Sequence, residues 1–224
     1  MNKKLNAAKG AFQKIIEMNV ENFVLGLGTG STTDLFTKNF LPKLKDRIDL
    51  IYSSSIRTTE LVESLGIKVE KTLPNTKCLD IYVDGADEID PELNLIKGGG
   101  GAHLLEKKLT KHSKYFICIA DNSKQVHMLG KFGIPVEVCE TKIDRVITSL
   151  NDDFPQIMRR NSLSDSGNIL LDLRGVLVAN PLELEKKINA IDGILEVGIF
   201  AENKPNTVII GHDNHYELIE SRIA

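Results

Sequence analysis

Cysteine is scarce in this chain, net charge is small and no apolar run is long. Each shortage excludes something. The three cysteines, Cys78, Cys118 and Cys139, form no Cys-x-x-Cys pair. An odd, scattered set argues against a disulfide framework and against a thiolate zinc site. All three sit among apolar residues and read as buried, reduced thiols. A formal net charge of -3 gives no general electrostatic case for nucleic acid or an anionic membrane as partner. No apolar stretch reaches the ~18 residues of a membrane span. The opening stretch, MNKKLNAAKGAFQKII, has no long apolar core and does not read as a secretory signal. A cytoplasmic protein is the expectation, without membrane or nucleic-acid partners.

What is present fits an ordinary globular chain of 224 residues, long enough for one large domain or a medium one with a small companion. Residues 2–19 carry Leu5, Ala8, Phe12, Ile15 and Ile16 at helical spacing. Residues 23–27 form a short apolar run of the kind a buried parallel strand shows. Gly28, Thr29, Gly30, Ser31, Thr32 and Thr33 follow, and residues 34–45 read as helix. A strand, a glycine-rich turn and a hydroxyl-rich helix start offer free N–H groups and a positive dipole end to an anion, most often phosphate. Thr33 stands where a dinucleotide fingerprint needs its third glycine, and no P-loop lysine follows. A monophosphate cradle fits better; a plain capped turn is the bland alternative.

Residues 48–52, 67–69, 79–83 and 114–120 read as further strands. Residues 59–65 read as a helix closed by Gly66, and another helix starts near Ala102. This alternation argues for an α/β fold, a Rossmann-like parallel sheet with helices on both faces. Ligands of such sheets bind at the carboxyl ends of strands. The loops at 28–32, 53–55 and 84–87 should therefore converge on one edge. Lys124 stands just past another strand, where a phosphate or substrate contact competes with simple solvation. Beyond Gly133 the order β-α-β-β-α-β over residues 135–200 reads as a smaller α+β ferredoxin-like domain without an obvious catalytic cluster. Residues 207–211 read as a last strand rejoining the main sheet. The expected division is 1–132 with 204–224, and 133–203.

The densest chemistry lies at residues 81–107, IYVDGADEIDPELNLIKGGGGAHLLEK. Asp84, Asp87, Glu88 and Asp90 cluster past a strand. Such a cluster suits a carboxyl to proton exchange near neutrality, and Asp84 and Asp87 lie nearest the strand end. A polar loop of solvated charges is the alternative. Neither a histidine pattern nor EF-hand spacing accompanies them, so no metal is expected. Lys97 immediately precedes four glycines, Gly98, Gly99, Gly100 and Gly101. Its ammonium can neutralise a developing oxyanion, and glycine N–H groups can add donors. Glu106, in the following helix, is a candidate general base; standing alone it would read as solvated and facing Lys107 or Lys111. His103 reads as a supporting helix residue.

These motifs together resemble the ribose-5-phosphate isomerase A family: GLGTGST at 26–32, SSS at 53–55, YVDGADEID at 82–90, KGGGGA at 97–102 with Glu106 nine residues after Lys97, and FICIADNSKQV at 116–126. The likeness continues through GKFGIPVEV at 130–138, INAIDGILEVGIF at 188–200 and the C-terminal strand, covering nearly the whole chain. It implies interconversion of D-ribose 5-phosphate and D-ribulose 5-phosphate, in the pentose phosphate pathway, through a cis-enediol and without metal or organic cofactor. By this resemblance Glu106 moves the proton between C2 and C1, and Asp84 serves ring opening. Asp87 binds or polarises sugar oxygens, while Lys97 and the glycine loop stabilise enediolate charge. Thr29, Gly30, Ser31, Thr32 and Lys124 hold the substrate and its phosphate, together with Gly85 and Ala86. A homodimer or homotetramer is implied as well.

The chain departs from the family pattern in three places. Asn6 stands where members often carry a phosphate-contacting lysine, with Lys3, Lys4 and Lys9 as possible substitutes. Leu105 replaces a common arginine, and His103 a small or apolar residue. Two other functions use similar folds: acyl transfer from coenzyme A with Glu106 as nucleophile, and non-catalytic sugar-phosphate sensing. Longer chains usually accompany the first. A basic helix-turn-helix usually accompanies the second, and none precedes residue 20.

Overall fold

The computed structural model describes residues 2–70 and 79–221. By contacts it divides into two compact units, one of Met1–Gly85, Lys108–Ser123 and Pro205–Ala224, the other of Ala86–Lys107 and Lys124–Lys204.

In the first unit the helical spacing near the N-terminus produces α1 (Asn2–Glu17), whose buried face is Ala7, Ala8, Gly10, Ala11 and Ile15. The apolar run that follows is β1 (Phe23–Leu27). Then come α2 (Ser31–Asn39), α3 (Leu41–Leu44), β2 (Ile48–Ser53), α4 (Ile56–Ser64) and β3 (Leu79–Asp84). The helix expected over 34–45 starts earlier, at Ser31, and breaks at Phe40. Pro42 explains the break: it lacks an N–H for a continuing helix but is tolerated in the first turn of α3. The strand expected at 67–69 does not form. Glu70 donates one backbone bond to Ile51 (2.7 Å), and Val69 is buried in the core without a ladder. Cys78 lies outside the described residues.

The chain continues through β4 (Glu88–Ile89), β5 (Leu95–Ile96), α5 (His103–Lys111) and β6 (Ser113–Asp121). After these come β7 (Ile134–Val138), α6 (Ile143–Leu150), β8 (Gln156–Arg159), β9 (Ile169–Arg174) and α7 (Pro181–Asn189). It ends with β10 (Ile194–Val197), β11 (Ile199–Phe200), β12 (Thr207–Gly211) and β13 (Tyr216–Glu220). The first unit's sheet has the order β13-β12-β6-β3-β1-β2, parallel except for β13. Leu25, Leu27, Ile81, Val83, Ile117, Ile119 and Ile209 join α1 and α2 residues in one core, as buried parallel strands require.

The second unit holds two sheets. One has the order β10-β7-β9-β8, antiparallel throughout; its helices α6 and α7 complete the β-α-β-β-α-β order of a ferredoxin-like fold. The other joins β11, β5 and β4. The last strand of the β-α-β-β-α-β order ends at Val197 and β11 follows it, with Gly198 between them accepting a bond from the Lys97 N–H (2.9 Å). The units differ from the division expected at 132/133. Pairing of β5 with β11 groups 86–107 with the small sheet. The Glu88 carboxylate, accepting from the Gly130 and Phe132 N–H groups (both 2.6 Å), does the same for the chain before Gly133. Cys118 is buried as expected. Cys139 is only half-buried, since it leaves the end of β7 for a surface turn. Among the described residues no helix is long and apolar enough to cross a membrane.

Candidate active site

In the first unit the loops after β1, β2 and β3 meet at one edge, as the alternation of strands and helices implied. Gly28 donates to the Val83 carbonyl (2.9 Å) and Ser54 to that of Leu27 (2.9 Å). Thr58 Oγ1 donates to the Gly28 carbonyl (2.9 Å). Asp84 closes the arrangement and is fully buried. Its Oδ1 accepts from the N–H groups of Thr29 (3.1 Å) and Gly85 (2.7 Å), and its Oδ2 from the Tyr82 hydroxyl (2.5 Å). These bonds hold the carboxylate in one orientation. They also explain Gly28, where a Cβ would stand 1.8 Å from Asp84 Cγ.

Beside this edge, α2 begins directly after Gly30, which supplies no side-chain cap. Its first-turn N–H groups therefore point outward with the positive end of the helix dipole. Lys4 Nζ donates to Ser31 Oγ at that terminus (2.8 Å). Asn6 is occupied elsewhere, its amide donating to the carbonyls of His212 (2.8 Å) and Asp213 (3.2 Å). Lys3 reaches Asn122 Oδ1 (3.2 Å). Of the three lysines named as substitutes for Asn6, Lys4 is the one at the turn.

In the second unit α5 is built in an unusual way. His103, Glu106 and Lys107 are all buried, at helical spacing. Lys97, just past β5, meets Glu106 with Nζ 3.2 Å from Oε2; their side chains are 2% and 3% exposed. Lys107 is not the solvated partner of Glu106. It pairs with Glu185 (2.5 Å) and Glu196 (3.5 Å) and donates to the Ile199 carbonyl. Both ammonium groups lie over the Phe200 ring, at 5.4 and 4.2 Å from its centroid.

Within the second unit the glycine loop lies between Asp87 and the start of α5. Gly98 adopts φ +104°, and a Cβ there would stand 2.7 Å from His103 Nδ1. The Gly101 N–H is bound to the Gly98 carbonyl (3.0 Å) and the Gly99 N–H to Asp87 Oδ2 (2.8 Å). Two of the four glycine donors are therefore engaged internally, while Gly99 and Gly100 themselves are exposed. The other acidic residues of the cluster have structural tasks. Glu88 is the loop anchor already described. Asp90 Oδ1 accepts from the N–H groups of Glu92 (2.9 Å) and Asn94 (2.8 Å), shaping the turn between β4 and β5. Ala86 is half-buried, one residue before Asp87. Lys124 is also half-buried, 5.9 Å from the Phe132 ring centroid. Among the described residues no group of three or more His, Cys, Asp or Glu is placed to hold a metal ion.

His103 is completely buried, and its Nε2 lies 3.3 Å from the Glu196 carbonyl. Burial, reinforced by the nearby charges of Lys107 and Arg160, lowers its pKa to about 4. The folded protein thus keeps a neutral ring while the unfolded chain takes up a proton near pH 6.5. The stability tied to this ring is complete above that value and is lost as pH falls from about 6.5 to 4, reaching about 3 kcal/mol at the lower end. Urea midpoints measured between pH 7 and pH 4.5 are expected to fall more steeply for the wild type than for His103→Asn. Parallel curves would show that His103 does not carry the acid sensitivity.

Comparison with known proteins identifies the family. The family model of ribose 5-phosphate isomerase A (phosphoriboisomerase A) matches residues 50–215. A ribose-5-phosphate isomerase A of Xylella fastidiosa is 40% identical over 210 residues, spanning 92% of this chain and 96% of its own. Ribose 5 phosphate isomerase A from Neisseria gonorrhoeae matches in structure with a TM-score of 0.90 at 37% identity, over 100% of both chains. A D-ribose-5-phosphate isomerase solved in complex with phospho-erythronic acid gives 0.87 at 34% identity, covering 98% of this chain and 100% of its own. Sequence and fold agree along the chain, which belongs to the ribose-5-phosphate isomerase A family.

Proposed function

We propose that this protein interconverts D-ribose 5-phosphate and D-ribulose 5-phosphate within the pentose phosphate pathway. The observation that carries the proposal is the buried Lys97–Glu106 pair beside a glycine loop. Isomerisation needs one base able to take the C2 proton and return it at C1, and one cation to balance charge on the enediolate between those steps. Glu106 is assigned the first task and Lys97 the second. In the same proposal Asp84 assists ring opening. Asp87 engages the sugar oxygens, and the exposed backbone at Gly99 and Gly100 lies alongside. The open start of α2, with Lys4, and Lys124 are assigned the phosphate. No atom is gained or lost, so the reaction needs no co-substrate. The relative solved with phospho-erythronic acid is consistent with a phosphorylated ligand. A homodimer or homotetramer in the cytoplasm completes the proposal.

The test is direct. The purified protein is incubated with ribose 5-phosphate, and ribulose 5-phosphate is measured with and without EDTA. Turnover unchanged by the chelator is expected. Absence of turnover would overturn the assignment, and activity lost to EDTA and restored by a divalent ion would point to metal chemistry. Labelling of Glu106 by an acyl-CoA would favour acyl transfer instead.

A further inference from the structure

We propose that Arg160, in the ferredoxin-like unit, is a positioning residue that sets which way the glycine loop presents its N–H groups. The inference rests on the assignment of that loop to the sugar. Consecutive glycines have no side chains to fix their peptide planes and lose more backbone freedom on ordering than other residues. The Gly101 N–H and Asp87 hold the Gly98–Gly99 plane, and a further anchor must hold the Gly99–Gly100 plane.

Arg160 is placed to do so. Its Nη1 donates to the carbonyls of Gly98 (2.9 Å) and Gly99 (3.1 Å). The rest of the guanidinium is locked: Nε and Nη2 bind the two oxygens of Asp172 at 2.9 and 2.7 Å. Both side chains are mostly buried, at 16% and 14% exposure. The Arg160 N–H also donates to the Leu170 carbonyl (2.9 Å), and Asp172 lies on β9, so the fork is fixed by the sheet itself.

The consequence follows from peptide geometry. In a trans peptide the C=O and the next N–H point in opposite directions. With the Gly98 carbonyl turned to Arg160, the Gly99 N–H must face away, and it does so, onto Asp87 Oδ2. With the Gly99 carbonyl also turned to Arg160, the Gly100 N–H is directed away from Arg160 as well. Without Arg160 the Gly98 carbonyl keeps its bond from the Gly101 N–H and the Gly99 N–H its bond to Asp87, but the Gly99 carbonyl is released, so the Gly99–Gly100 plane can flip and turn an acceptor oxygen where a donor now stands. That reversal would repel an enediolate.

Arg160→Lys keeps a cation but not the fork that serves an aspartate and two carbonyls together. It is expected to lower kcat about 10–100-fold, with KM for ribose 5-phosphate changed less than threefold. Arg160→Ala should lose as much and regain part of its kcat with added methylguanidinium at tens of millimolar. Wild-type protein assayed in parallel separates the two ideas, since an inactive wild type rejects the isomerase assignment itself. With an active wild type, kcat within twofold of normal in folded Arg160→Lys and Arg160→Ala would overturn the positioning role. So would kcat losses that methylguanidinium does not reverse, or failure of both variants to fold, because each would make Arg160 scaffold only.

Discussion

Glu106→Gln is expected to lower turnover of ribose 5-phosphate by about 10²–10⁴-fold, the usual contribution of one well-placed general base. The substitution keeps the shape of the side chain and its place in the first turn of α5. In the proposed mechanism it removes the capacity to take a proton at C2 and return it at C1, and with it the charge that Lys97 pairs with. The proposal assigns binding to other groups, so KM should move far less than kcat. Steady-state kinetics on folded variant, checked by circular dichroism, decide the matter. Near-normal turnover would place the base elsewhere and sink the mechanism. A parallel fall in kcat and in folded fraction would instead trace the loss to the neighbouring Lys97.

The main sheet was legible because buried parallel strands leave a simple trace. The runs at β1, β3, β6 and β12 are apolar, short and followed by polar turns, and they occupy the expected places. The βαββαβ order was legible from the apolar runs of β7 and β9 and the helical spacing of apolar residues in α6 and α7. The edge strand β13 was not, since the adjacent Leu218 and Ile219 break the alternation of a half-buried strand and none of its residues is fully buried. The α5 region resisted in a more instructive way. Periodicity treats apolar residues as buried, yet Leu104 and Leu105 are only half-buried while His103, Glu106 and Lys107 lie inside. Their burial depends on ionic partners distant in sequence, Glu185 and Glu196 for Lys107. Nothing local announces such partners. Arg160 escaped notice for that reason as well: beside Arg159 it resembles a solvated charge, and only Asp172 and the glycine carbonyls reveal its task.

Lys97→Met is expected to destabilise the fold by about 3–5 kcal/mol, because Glu106 then stays buried without the ammonium 3.2 Å away. Methionine fills much of the same space beside Phe200, so lost packing contributes little. The desolvated carboxylate is what costs stability. Removing the second charge should therefore recover part of the loss. The double variant Lys97→Met/Glu106→Gln is expected to be more stable than Lys97→Met, although it carries one more substitution. Urea denaturation of the wild type, both single variants and the double variant closes a thermodynamic cycle. Its coupling free energy measures the pair as a unit. The activities should behave differently from the stabilities: the double variant is expected to be as inactive as either single variant, since the proposal has the base and the cation act on the same proton transfer. If the double variant were no more stable than Lys97→Met, the two charges would not be coupled in the folded protein. Lys97 would then act through packing alone, and its role in balancing enediolate charge would lose its structural support.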